Sequence, residues 1–225
     1  MIRTGTTLAT AIATALLVGG AVLGSGSSID NVAGGKALLI RIAQVDASAA
    51  PDVVGGTVRL GDEQVSFAEP VTDTAVTDGG LYVLAGKKLW VTDFHARLQT
   101  GVSGMDHITA SPDGRYLGFV DLTTTHTDRH GTSLAVVTVY DTTTGERVVH
   151  SADGMGDPGH DDLARLYRDD PPSFVGFDGD GTAYVRPADR RSDFVALPTD
   201  GGDPRRVDGT TASLGIRAEP AATRG

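Results

Sequence analysis

Hydrophobic and polar positions are patterned differently in successive stretches of the chain. Leu8 to Gly24 (LATAIATALLVGGAVLG) carries no charge and is preceded only by Arg3 and the free amine. A cationic start followed by an apolar run predicts an export signal or a membrane anchor, formed as an N-terminal apolar helix. The run sits at the short end for a hydrocarbon core of about 30 Å at about 1.5 Å per helical residue. Beyond it, Ser25-Gly26-Ser27-Ser28 offers small residues to a signal peptidase but no A-x-A triplet, so cleaved and anchored forms both stay open. Lys36 to Val45 (KALLIRIAQV) is apolar without a clear period and fits either a buried strand or a short helix.

From Thr57 onward the apolar residues come in short runs bounded by Gly, Asp and Pro. Thr57 to Leu60 and Gln64 to Phe67 read as two strands around Gly61-Asp62. Three longer units then repeat one plan: strand, Asp/Gly turn, strand, loop, strand, Gly turn, strand. The first unit occupies Asp73 to Gly101, with turns at Asp78-Gly79-Gly80 and Gly86-Lys87-Lys88. The second runs from His107 to Ala152, turning at Pro112-Asp113-Gly114 and again at Thr142 to Gly145. The third spans Pro172 to Gly209, turning at Asp178 to Gly181 and Thr199 to Gly202. Alternation in Leu81-Tyr82-Val83-Leu84 and in Val136 to Tyr140, between such turns, is a hairpin pattern. In Leu134 to Tyr140 apolar residues fall on both faces, which predicts an inner strand with Val137 and Val139 buried.

Composition strengthens the strand-and-turn reading. Among 29 acidic residues only four are Glu, and Asp favours turns and caps where Glu favours helix interiors. Thirty Gly and ten Pro act in the same direction. The chain has no cysteine, which excludes a disulfide scaffold, thiolate metal ligands and a Cys nucleophile. A net charge of −10 argues against nucleic acid as a partner, because phosphate binding needs a basic face.

Repetition of four-strand units is the sequence mark of a β-propeller, in which neighbouring blades bury one another's faces. Ile108 to Leu117 (ITASPDGRYL) resembles the S-P-D-G-R/K core of WD40-like and TolB-type propeller repeats. Val139 to Glu146 (VYDTTTGE) resembles the Y-D-x-x-T-G-E turn between the outer two strands of such blades. The resemblance covers one blade, Asp106 to Ser151. Its neighbours carry Thr-Asp-Gly-Gly and Phe-Asp-Gly-Asp-Gly at the corresponding turn, and Trp90 is not followed by Asp. The resemblance implies an all-β, β-propeller-like fold of about three to four four-stranded blades, in a complete or incomplete ring. Lys36 to Pro70 is the stretch from which a fourth blade would come. Turn spacing alone also permits a β-sandwich.

Candidate chemistry is sparse. Gly154-x-Gly156-x-x-Gly159 before an expected helix at Asp161 to Arg168 matches a dinucleotide fingerprint in letters. Four nearby Asp would repel a pyrophosphate, and no βαβ alternation surrounds the motif, so a helical turn capped near Asp157 or Gly159 is the expected structure. The weak metal candidates are His160 with Asp161, and Asp178 with Asp180, as ligands for Ca²⁺ or a similar hard cation. The third acid and the bidentate Glu of a full calcium loop are missing, and the same residues serve ordinary turns. His126 and His130 are four apart, a spacing that serves metal binding on a helix but falls here in a Thr-rich loop.

The expected organisation is a signal peptide or signal anchor at 1–28, a linker at 29–36, a propeller-like domain at 37–213 and a flexible tail at 214–225. The expected function is that of an extracytoplasmic, non-catalytic scaffold, secreted or held to the membrane only by residues 8–24. It would bind a protein or small molecule on a propeller face, with no cofactor required. The alternative is a propeller-type metal-dependent hydrolase or lactonase using Asp106, His107, His160 and Asp161.

Overall fold

Short β-prone runs closed by Asp and Gly leave the chain to fold as consecutive hairpins, and every strand pairing observed is antiparallel. The computed structural model describes residues 50–217, all within the unit Gly34–Gly225. The expected signal or anchor, the linker, the Lys36 to Val45 stretch and residues 218–225 lie outside the described residues.

The first sheet has three strands, β1 (Asp52–Val54), β2 (Thr57–Leu60) and β3 (Glu63–Ser66). Sequence pattern predicts β2 and β3; the three-residue β1 is too short to leave a periodic signal. The second sheet is β4 (Val71–Thr77), β5 (Gly80–Ala85), β6 (Lys88–Thr92) and β7 (Arg97–Ser103). The third is β8 (Thr109–Ala110), β9 (Tyr116–Asp121), β10 (Val136–Asp141) and β11 (Arg147–Ser151). A short helix, α1 (Leu163–Asp169), precedes the fourth sheet of β12 (Ser173–Phe177), β13 (Ala183–Arg186), β14 (Phe194–Leu197) and β15 (Arg205–Val207). The described fold is therefore all-β apart from one helix, with three four-stranded sheets and one of three strands.

The sheets pack face to face in chain order. Val58, Phe67, Leu81 and Val83 form the apolar layer joining the first sheet to the second. Tyr82, Leu84, Leu89, Met105, Leu117 and Phe119 form the layer between the second and third. Between the third and fourth, Tyr116 stacks on Phe177 at 6.2 Å and Phe174 tilts against Phe177 at 5.1 Å. The first strands come together as well, with β8 lying beside both β4 and β12. Val137 and Val139 on β10 are fully buried, as an inner strand of this arrangement requires.

Leu214 and Ile216 pack on Tyr184 and Phe194, and Arg217 forms an antiparallel bridge with Phe177. The tail boundary expected at 214 thus falls inside a packed segment, because the apolar Leu214 and Ile216 cover the outer face of the fourth sheet.

Candidate functional site

In an antiparallel meander, successive connections fall at alternate ends of the sheet. One end here holds tight turns. At Pro112-Asp113-Gly114, the Gly114 N–H donates to Ser111 O at 2.9 Å, and Gly114 takes φ +74°. Asp113 Oδ1 accepts from Ser111 Oγ at 2.5 Å and from the Arg115 N–H at 3.1 Å, so its charge is spent on the turn. Neighbouring turns interlock: Asp78 N–H donates to Gly114 O at 2.8 Å, and Thr142 N–H to Arg115 O at 2.8 Å. Asp141, 2 % exposed, accepts from Arg115 Nε and Nη2 at 2.8 Å each. Burial opposes its ionisation, yet bonds from Thr143 and Arg115 hold its carboxyl below the usual carboxylate range.

The opposite end gathers the long connections, residues 122–135, 152–172 and 187–193 together with 208–213. One buried carboxylate ties the first two of these together. Asp128 Oδ1 accepts from the His130 and Thr132 N–H groups, and Oδ2 accepts from the Leu163 N–H, each at 2.9 Å. Burial works against the charge, but these backbone bonds outweigh it and hold the carboxyl below its ordinary range. Asp128 thereby ties the β9–β10 loop to the first residue of α1. Tyr167 on α1 makes the second tie, its hydroxyl accepting from Ala135 N–H and donating to Met155 O, both at 2.9 Å. The helix is capped by Asp162, whose side chain accepts from Arg165 N–H at 3.0 Å. This corrects the expected cap near Asp157 or Gly159 and shortens the helix start to Leu163: Asp157 instead closes its own turn by accepting from Gly159 N–H at 2.7 Å.

Beyond α1 the β13–β14 loop is clamped to the helix end. Arg190 Nε donates to Asp170 Oδ2, and Nη2 to Asp169 O at 2.8 Å. Arg190 does this with φ +53°, a left-handed conformation that non-glycine residues adopt at a cost. Asp189 receives both terminal nitrogens of Arg206, at 2.9 and 2.6 Å; burial raises its pKa, but the Arg206 bonds bring it below normal. Two concavities flank this clamp. One, of about 480 Å³, lies against α1 and includes Arg129, His160 and Asp161. The other, of about 600 Å³, lies between the β13–β14 loop and residues 208–211.

The sequence candidates divide into local pairs. His160 Nδ1 contacts Asp157 Oδ2 at 2.8 Å, which raises the imidazole pKa, while Asp161 Oδ2 accepts from Asp157 N–H at 2.8 Å. Asp106 pairs with Lys87 at 3.4 Å, and His107 with Asp73 at 3.4 Å. Asp178 accepts from the Asp180 and Thr182 N–H groups and from the Tyr184 hydroxyl, whereas Asp180 is exposed. His126 and His130 stand exposed in a loop closed by the Thr127–Ser133 bridge. Among the described residues, no three His, Asp or Glu gather as a metal site. Gly154 and Gly156 serve close packing: a Cβ at 154 would meet Pro187 at 2.6 Å, and one at 156 would meet Leu166 at 2.6 Å. Gly154 O is occupied by the Ala188 and Asp189 N–H groups.

Sequence reasoning passed over Asp128, Tyr167 and Arg190. Asp128 lies between His126 and His130, and Asp followed by Gly three residues later is the turn signal that marks it. Among the described residues no helix is long and apolar enough to cross a membrane. No family model and no curated protein matches this chain.

Proposed function

We propose that this chain is an exported, β-propeller-type scaffold that binds a protein or small-molecule partner through the face carrying its long connections. The carrying observation is the convergence of residues 122–135, 152–172 and 187–193 at one end of sheets whose first strands stand side by side. That end is rigidified by Asp128, Tyr167 and Arg190, whereas the other is closed by tight Asp/Gly turns. Binding surfaces of this kind are loops held on a fixed framework. Support for the blade reading comes from the repeated four-stranded sheets and from the S-P-D-G-R turn at Ser111 to Arg115. Support for export comes from Leu8 to Gly24.

Site-specific photo-crosslinking of the full chain in its host cell tests the binding face. Probes at Lys87 and Arg129 should give a discrete adduct, and probes at Asp113 and Asp200 on the tight-turn end should not. Equal labelling at both ends overturns the reading, and no adduct at Lys87 and Arg129 overturns its protein-partner form. A reporter fused after Ser28 should appear outside the cytoplasm. Changing Ala15 and Leu16 to Arg should retain it, since each charge costs about 2.5–3.5 kcal/mol at mid-membrane.

A further inference from the structure

We infer that the concavity between the β13–β14 loop and residues 208–211 binds a small anionic, hydroxyl-bearing molecule: a sugar carrying a carboxylate or a phosphate. The inference rests on the scaffold reading and names a ligand class for the same face.

Its volume of about 600 Å³ is in the range of small-ligand pockets. Three arginines, Arg186, Arg190 and Arg191, line it together with Asp170, Asp193 and Asp208. Each acid has a partner within the protein, and Asp193 and Asp208 keep their charge. Asp170 holds Arg190. Asp193 Oδ2 accepts from Gly209 N–H at 2.9 Å, and Asp208 Oδ1 accepts from Asp193 N–H at 3.1 Å, so these two carboxylates staple the cavity's walls together.

The cations are not balanced in the same way. Among the described residues Arg186 has no carboxylate within ion-pair distance. Arg191 reaches Asp189 only at 3.9 Å, and that carboxylate is committed to Arg206 at 2.6 Å. Two arginines without a close ion pair of their own therefore line one hollow of an otherwise acidic protein. Guanidinium presents paired donors matched to carboxylate or phosphate oxygens.

The rest of the lining is polar. Thr210 and Thr211 are exposed on one wall, while Phe194, 4 % exposed, is turned into the core. Such a surface suits hydroxyl groups and gives a purely apolar ligand little to bury. The loop is also fixed in advance, since Arg190 holds its left-handed backbone through the clamp to Asp169 and Asp170. Preformed loops reduce the ordering cost of binding.

The test is titration of the full chain, followed by amide chemical shifts, with glucuronate, glucose 6-phosphate, glucose and inorganic phosphate. Glucuronate or glucose 6-phosphate should shift amides at 186–194 and 208–211, and whichever binds identifies the acidic group. The Arg186→Gln, Arg191→Gln double variant should weaken that binding about tenfold or more, because both charge-assisted contacts go. Its other amide shifts should stay in place, since both side chains are exposed. No shift with either acidic sugar overturns the inference, as does equal binding of glucose or unchanged binding by the double variant. Inorganic phosphate bound as tightly as the sugars means an adventitious ion only. A crosslinked partner at Lys87 and Arg129 without sugar binding sinks this inference alone; sugar binding at 186–194 without any adduct sinks the macromolecular-partner reading instead.

Discussion

The ring of Phe174 on β12 lies against the backbone of Gly118 on β9, so close that a Cβ at position 118 would stand 2.1 Å from the ring's Cζ. Here the third and fourth sheets meet, and the absence of a side chain is what admits the ring. Gly118→Ala should destabilise the fold by about 1–3 kcal/mol through overpacking. Phe174→Leu in the same chain should recover part of the loss, giving a coupling energy in a double-mutant cycle of chemical denaturation. Strict additivity would place the ring elsewhere.

Asp128 organises the long-connection end without touching the sheets' apolar layers. Asp128→Ala removes the acceptor for three N–H groups, so hydrogen exchange in 122–135 and α1 should quicken while β10 stays protected. Asn keeps only one acceptor oxygen and should loosen α1 more than the loop. Because the folded carboxyl is held below its ordinary value, the tie is complete above that value and is lost as pH falls through the folded one. Uniform exchange rates across mutant and parent would show that α1 is held by packing alone.

His150 sits opposite Thr138 on the edge of the third sheet, and burial, with Arg147 adding to it, pushes its pKa down to about 4. The unfolded chain takes up this proton near pH 6.5, so the folded state binds fewer protons between those values. Stability from this group is fully present above pH 6.5 and declines as pH falls toward 4. The loss should be about 1–3 kcal/mol after allowance for partial exposure. Melting curves of His150→Gln should be flatter than the parent's over this window; parallel curves would exclude the imidazole as the cause.

Val139 is fully buried at the centre of β10, paired with Val149 and Gly118. Val139→Asp should destabilise by about 3 kcal/mol or more, since it places a charge at a fully buried apolar position. Unchanged thermal unfolding would contradict the packing of this strand.

Gly114 and Asp113 differ in what their turn asks of them. Gly114→Val forces a β-branched side chain to φ +74° and should cost about 1–3 kcal/mol. Asp113→Asn keeps an oxygen for Ser111 Oγ and Arg115 N–H and should be nearly neutral. Both are read from denaturation midpoints, and a large loss in the Asn variant would mean that the charge itself matters.

The hairpins, their turns and the buried β10 were legible in the chain because each depends on residues only a few positions apart. A Pro-Asp-Gly triplet sets its own dihedrals, and alternation over five residues declares which face is wet. The packing of Leu214 to Arg217 was not legible, since its strandlike place depends on Phe177, far back in the chain. The same holds for the candidate site. Asp128 bonds a backbone amide 35 residues away, and Arg190 reaches back 20 residues to Asp170. Read locally, both are polar residues in polar loops. Only when antiparallel pairing carries the long connections to one end, and packing brings α1 down on the β9–β10 loop, do their charges find the groups that give them a role.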